Sequence, residues 1–176
     1  FELSDRYMLL HYSPGGVAQG QALVGQYYCG RIIPNLLTSI ALMLGGILLP
    51  YMSKDWEAGQ TLAIQRRMRQ LLSLVSLLFT GLSVAAIIAS PLLFDWLFSG
   101  RYAGAKAILN LSLLQCIWTS LSLIAGTYLL CAERVHAGSL NLFLGLIVNV
   151  GLNIPLIHYF GLTGSVVATA IANLVV

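Results

Sequence analysis

The chain has few charged residues. Only 9% of its 176 residues are Asp, Glu, Lys or Arg, whereas an ordinary soluble domain has about 25%. Its hydrophobic content is 58% and its mean hydropathy is +0.85. So few charges cannot cover a surface that faces water. The composition therefore argues against a soluble globular protein and indicates an integral membrane protein.

Other functional classes also lack their usual residues. The net charge of +3 is small and scattered, so we expect no nucleic-acid partner. The three cysteines, Cys29, Cys116 and Cys131, lie in or beside apolar runs, without CxxC spacing and without His at ligand spacing. They are predicted to be buried free thiols, and we expect neither a metal site nor a cofactor.

Long runs without charge are abundant. Residues 70–94, 107–132 and 135–176 contain no Asp, Glu, Lys or Arg. The last run is too long for one crossing of a core about 30 Å thick, and Pro155, His158 and the glycines of 161–164 divide it into two. We predict one all-α transmembrane lobe over 1–176, a bundle of about five to six helices. The predicted spans lie near 17–50, 71–94, 106–131, 137–157 and 162–176, after the tail of a preceding helix at 1–12.

The positive charges predict which side each loop faces. Ser53–Gln70 carries Lys54, Arg66, Arg67 and Arg69 and is predicted to be a cytoplasmic loop. Alternation then puts Asp95–Lys106 and His158–Thr163 outside and Ala132–His136 inside. Lys and Arg number five in the inside loops and two in the outside loops, in agreement with this assignment.

One arginine stands alone in an apolar run. Arg31 is the only charged residue between Tyr7 and Ser53, and Tyr27, Arg31, Asn35 and Ser39 follow at four-residue steps on one helix face. A charge at this depth is costly and marks a candidate functional residue. Two interpretations stay open: Arg31 contacts an anionic substrate through its planar guanidinium, or it pairs with an acidic residue upstream of Phe1.

A second polar stripe lies near the end of the chain. Asn141, Gly145, Asn149 and Asn153 are spaced four residues apart. An amide is expensive to leave unpaired in hydrocarbon. The stripe predicts either a hydrogen-bonded seam between helices or the wall of a wet cavity.

Five short motifs resemble one known family of membrane proteins. They are DRYML at 5–9, VGQYYCGRI at 24–32, LLPYMS at 48–53, LFSGRYAGA at 97–105 and VNVGLNIPLIHYFGLTGSVVAT at 148–169. In their order and spacing they resemble the polysaccharide transporters of the multidrug/oligosaccharidyl-lipid/polysaccharide (MOP) exporter superfamily, which include O-antigen flippases. The resemblance extends over essentially the whole chain.

The resemblance implies a fold, a function and a set of partners. Such proteins have two six-helix lobes and flip undecaprenyl-pyrophosphate-linked oligosaccharides across the bacterial inner membrane by alternating access. This chain is similar to the second lobe, and we expect it to be a segment of a longer protein. The implied partners are the lipid-linked oligosaccharide, membrane lipid, the N-terminal lobe and the polymerase and chain-length proteins of polysaccharide biosynthesis.

The expected role of each site residue follows from the resemblance and from the residue types. Arg31, with Tyr27 beside it, is expected to attract the pyrophosphate or an acidic sugar. Asn35, Asn149 and Asn153 are expected to bind sugar hydroxyls. No catalytic residue is expected, so the predicted protein is not an enzyme.

Two alternatives remain. A drug/cation antiporter of the same superfamily needs acidic residues in its cavity, and this sequence offers few: Asp5 is expected at an edge and Asp95 in an external loop. A membrane glycosyltransferase or polymerase of the same pathway needs a large external loop with acidic and basic residues. The external loops predicted here are short.

Overall fold

The expected all-α bundle is confirmed. The structure, a computed structural model, describes residues 2–13, 15–92, 94 and 103–175, and in that part it contains five helices longer than one turn. They are α1 Glu2–Tyr12, α2 Gly16–Glu57, α3 Thr61–Leu92, α4 Ala103–Cys131 and α5 Val135–Val175. Most of the motif at 97–105, with Asp95, Trp96 and Tyr102 beside or within it, lies outside the described residues.

Four of these helices are long and apolar enough to cross a membrane: α2, α3, α4 and α5. With its low charge content, this makes the chain a multi-pass membrane protein. Of the four, α4 is the most deeply buried, and α2 packs along it through small residues. A Cβ on Gly30 would lie 2.8 Å from the Ala105 carbonyl oxygen, and one on Gly45 would lie 3.2 Å from the Thr127 methyl. Small residues of this kind let membrane helices approach closely.

The helix α5 reverses direction at Gly161. Asn149 and Thr169 would be about 30 Å apart in a straight helix, yet Asn149 Nδ2 donates to Thr169 Oγ1 at 2.9 Å. Gly161 has φ 55° and ψ −128°, a conformation that glycine adopts most readily. Gly164 packs against the backbone carbonyl of Leu156, where a Cβ would clash. The first arm of α5 (135–160) and the second arm (162–175) thus form an antiparallel hairpin.

The segment predicted as a cytoplasmic loop, 53–70, is mostly helical. Helix α2 continues to Glu57, and α3 begins at Thr61. Lys, Arg, Gln and Glu are good helix formers, so a polar segment at a membrane surface extends the helices beyond the core instead of ending them. A short turn joins the two helices, with Gly59 at φ +69°. Trp56 contacts Tyr128 edge to face, so this turn lies at the same end of the bundle as the α4–α5 connection.

Candidate functional site

A tight hairpin between α1 and α2 aligns their polar residues. The Gly16 N–H donates to the Ser13 carbonyl at 3.1 Å, and Gly16 has φ +75°. Further along, a Cβ on Gly20 would lie 2.6 Å from the Leu10 carbonyl oxygen, so glycine is required for this approach. The two antiparallel helices therefore bring Asp5 opposite Tyr27.

Asp5 lies at the centre of a buried polar network. Its side chain is fully buried and accepts four hydrogen bonds. Oδ1 accepts from Asn149 Nδ2 at 3.1 Å and from Asn153 Nδ2 at 2.9 Å. Oδ2 accepts from Tyr27 Oη at 2.8 Å and from Thr169 Oγ1 at 2.6 Å. This carboxylate thus joins α1, α2 and both arms of α5.

Arg31 reaches this network through a tyrosine. Its Nη1 donates to Tyr27 Oη at 2.7 Å, and its Nη2 lies 3.5 Å from Oε1 of Glu2. Arg31 is buried, with 7% of its surface exposed. Glu2 also binds Arg6, whose Nη2 donates to Glu2 Oε2 at 3.1 Å. An acidic partner for Arg31 is therefore present within the chain itself.

The network lies deep in the bundle. Asn153 and Thr169 are each eight positions from Gly161, which is about 12 Å along either arm of the α5 hairpin. Arg31 is 15 positions from Gly16, about 22 Å along α2. Both depths fall inside a hydrocarbon core about 30 Å thick. Ionisable groups held at such depth commonly face a bundle interior or a cavity and carry function.

Four of the five predicted site residues come together here, namely Tyr27, Arg31, Asn149 and Asn153. Both asparagines are fully buried and donate to Asp5. These bonds form a hydrogen-bonded seam between helices, one of the two structures predicted from the asparagine stripe. Asn35 is half-buried one turn beyond Arg31. Its side chain makes no hydrogen bond with the described residues, and its carbonyl accepts from Ser39 Oγ at 2.8 Å.

Three members of the network were not predicted from the sequence. Asp5 was expected at an edge but is fully buried, and neither Glu2 nor Thr169 was a predicted site residue. A signal for the first two exists, because a lone buried Arg31 requires a countercharge and α1 supplies only Glu2 and Asp5. Thr169 could be identified from the α5 hairpin. Asn153 and Thr169 are each eight residues from the turn at Gly161, so they lie opposite each other on the two arms.

Both asparagines that donate to Asp5 keep an unpartnered oxygen. Asn149 Oδ1 and Asn153 Oδ1 are buried and have no hydrogen-bond partner among the described residues. A half-turn of either amide presents its oxygen, in place of its NH₂ group, to Asp5. Carboxylate, amide and hydroxyl oxygens are ligands for a proton or a small hard cation. The described residues contain no group of three or more His, Cys, Asp or Glu that could hold a metal ion.

Comparison with known proteins finds one distant similarity. An uncharacterized membrane protein of Methanocaldococcus jannaschii is 23% identical over 135 residues, which cover 77% of this chain. The chain spans about a quarter of that relative, since the matched segment covers 27% of its length. No protein-family model matches the chain. No solved structure matches it either.

Proposed function

We propose that the chain is one lobe of a transporter that flips a lipid-linked oligosaccharide across the bacterial inner membrane. The observation that carries the proposal is Arg31, a buried cation deep in the bundle, held by Tyr27 and Glu2. Such a cation suits the pyrophosphate of a polyprenyl-linked sugar, because a guanidinium binds phosphate oxygens in pairs. The five resembling motifs support the same substrate class.

The proposed mechanism needs no covalent chemistry. Transporters of this type rock two lobes about a site near the middle of the membrane. Arg31 attracts the anionic group, and Tyr27 orients the guanidinium by accepting from Nη1. Asn149 and Asn153 hold Asp5, so they fix the α5 hairpin against α1 and α2 while the substrate moves.

The experiment replaces Arg31 in the full-length protein by Ala and by Lys, in a strain that lacks the native gene. We expect the Ala variant to lose surface polysaccharide and the Lys variant to retain part of it, because Lys keeps the charge without the planar fork. Arg134→Ala is the matched control, since Arg134 is exposed at the α4–α5 turn. Normal polysaccharide from the Ala variant at normal expression would remove Arg31 from the substrate site.

Asp5 favours a second candidate, an antiporter driven by protons or a monovalent cation. The carboxylate is fully buried, and the two asparagines that donate to it, Asn149 and Asn153, each keep an unpartnered buried oxygen. Reconstituted full-length protein would then export an organic cation only when a proton or sodium gradient is imposed. Gradient-independent behaviour, or no export of any cation tested, would count against this candidate.

A further inference from the structure

We propose that Arg6 and Arg31 together form a subsite for a pyrophosphate or similar polyvalent phosphate, and that Glu2 fills this subsite when no ligand is bound. The inference deepens the proposed function and rests on it. It adds Arg6 as a second cation and Glu2 as a displaceable internal anion.

The two arginines face Glu2 in the same way. Glu2 Oε2 accepts from Arg6 Nη2 at 3.1 Å, and Glu2 Oε1 lies 3.5 Å from Arg31 Nη2. In each guanidinium, Nε shares an edge with Nη2, and that edge is the one that grips an oxyanion bidentately. Each arginine thus offers Glu2 only half of its binding edge.

The other half of each edge is unfilled. Arg6 Nε and Arg31 Nε are buried and have no hydrogen-bond partner among the described residues. A buried N–H without a partner is costly. One carboxylate has two oxygens, whereas the two edges together offer four donors. A pyrophosphate has enough terminal oxygens to meet all four.

Glu2 is the carboxylate that both guanidinium groups contact. Asp5 accepts instead from four neutral donors, and Arg31 reaches it only through Tyr27. The Arg6 guanidinium lies 3.9 Å from the ring centre of Tyr28, and nearly half of Tyr28 is exposed. The subsite therefore borders an open surface of the bundle.

Glu2 is the group best able to leave. Its side chain is 39% exposed, against 9% for Arg31 and 24% for Arg6. It lies in the first turn of α1, and its described polar contacts are those to the two arginines. A rotation of its side chain toward the open surface frees both binding edges without moving a helix.

The test measures binding of inorganic pyrophosphate and of farnesyl pyrophosphate to the full-length protein in detergent, by calorimetry. We expect Glu2→Gln to tighten pyrophosphate binding several-fold, because it removes the competing anion. Arg6→Gln should weaken binding about tenfold, as a hydrogen-bonded charge is lost, and Arg6→Lys should fall between it and the wild type. Glu57→Gln, which makes the same charge change at the exposed end of α2, should have no effect.

The outcomes separate this inference from the proposed function. Equal affinity of wild type, Glu2→Gln and Arg6→Gln for both probes would overturn the subsite, even if Arg31→Ala abolishes flipping. If Glu2→Gln does not fold, the two Arg6 variants provide the test by themselves. Equal affinity of Arg6→Lys and Arg6→Gln for pyrophosphate would then overturn the subsite. Tighter binding of farnesyl pyrophosphate than of inorganic pyrophosphate would identify the ligand as lipid-linked, and equal binding of the two would identify it as free pyrophosphate.

Discussion

Two ion pairs in this molecule have similar distances and similar burial but different partners around them. Arg67 Nε lies 3.2 Å from Asp55 Oδ2 at the α2–α3 turn, with 45% of the arginine side chain and 12% of the aspartate side chain exposed. Arg31 Nη2 lies 3.5 Å from Glu2 Oε1, with 9% of the arginine side chain and 39% of the glutamate side chain exposed. The shorter pair lacks hydrogen-bond geometry, since Asp55 Oδ2 accepts no hydrogen bond from the described residues.

The difference shows that further hydrogen-bond partners decide the importance of an ion pair more than its distance does. A pair with one exposed side chain and no hydrogen bond contributes about 0–1 kcal/mol, because water and salt screen it. A buried charge must be matched by partners, and removing one leaves the others unsatisfied. The Arg31–Tyr27–Asp5 network has such partners on α1, α2 and both arms of α5.

The largest effect is expected at Asp5. Asp5→Ala should lower the free energy of unfolding by about 2–4 kcal/mol, because Tyr27, Asn149, Asn153 and Thr169 lose a buried acceptor. Asp55→Ala is the control and should cost less than about 1 kcal/mol. Unfolding in mixed detergent micelles measures both. Equal losses would mean that the two carboxylates contribute alike, and the comparison would fail.

The hairpin turn is expected to come second. Gly161→Ala places a side chain at φ 55° and ψ −128°, which should cost about 1–3 kcal/mol. Gly151→Ala is the matched control on the same helix, where an added Cβ meets nothing within 4 Å, and it should be neutral or slightly stabilising. The same unfolding measurement applies. A neutral Gly161→Ala would contradict the reversal of α5 at this residue.

The smallest effect is expected at the Arg67–Asp55 pair. Arg67→Ala should cost less than about 1 kcal/mol at low salt, and the difference should vanish near 1 M NaCl, where the screening length is about 3 Å. Thermal unfolding of the purified protein at both salt concentrations measures it. A loss that persists at high salt would show that Asp55 and Arg67 form a buried pair.

Much of the fold was predictable, because long runs without charged residues indicate which segments span the membrane. The break of the last run near Gly161 was predictable from Pro155 and the two glycines of 161–164. The helical extension of α2 through 53–57 was not predicted, since a polar segment at the membrane surface resembles a loop in its composition. Asp5 was missed for another reason: its burial depends on three helices meeting, and no local pattern around Asp5 reports that contact.

The most direct test of the account is transport by Asp5→Asn in the full-length protein. Asparagine keeps the shape and some hydrogen-bonding capacity of Asp5 but cannot carry its charge, so we expect this variant to fold and to express normally. Surface polysaccharide should fall in a strain that lacks the native gene, because the weaker acceptor no longer holds the α5 hairpin against α1 and α2 while the substrate moves. Wild-type polysaccharide levels from a folded Asp5→Asn variant would contradict the claim and leave the network a purely structural role.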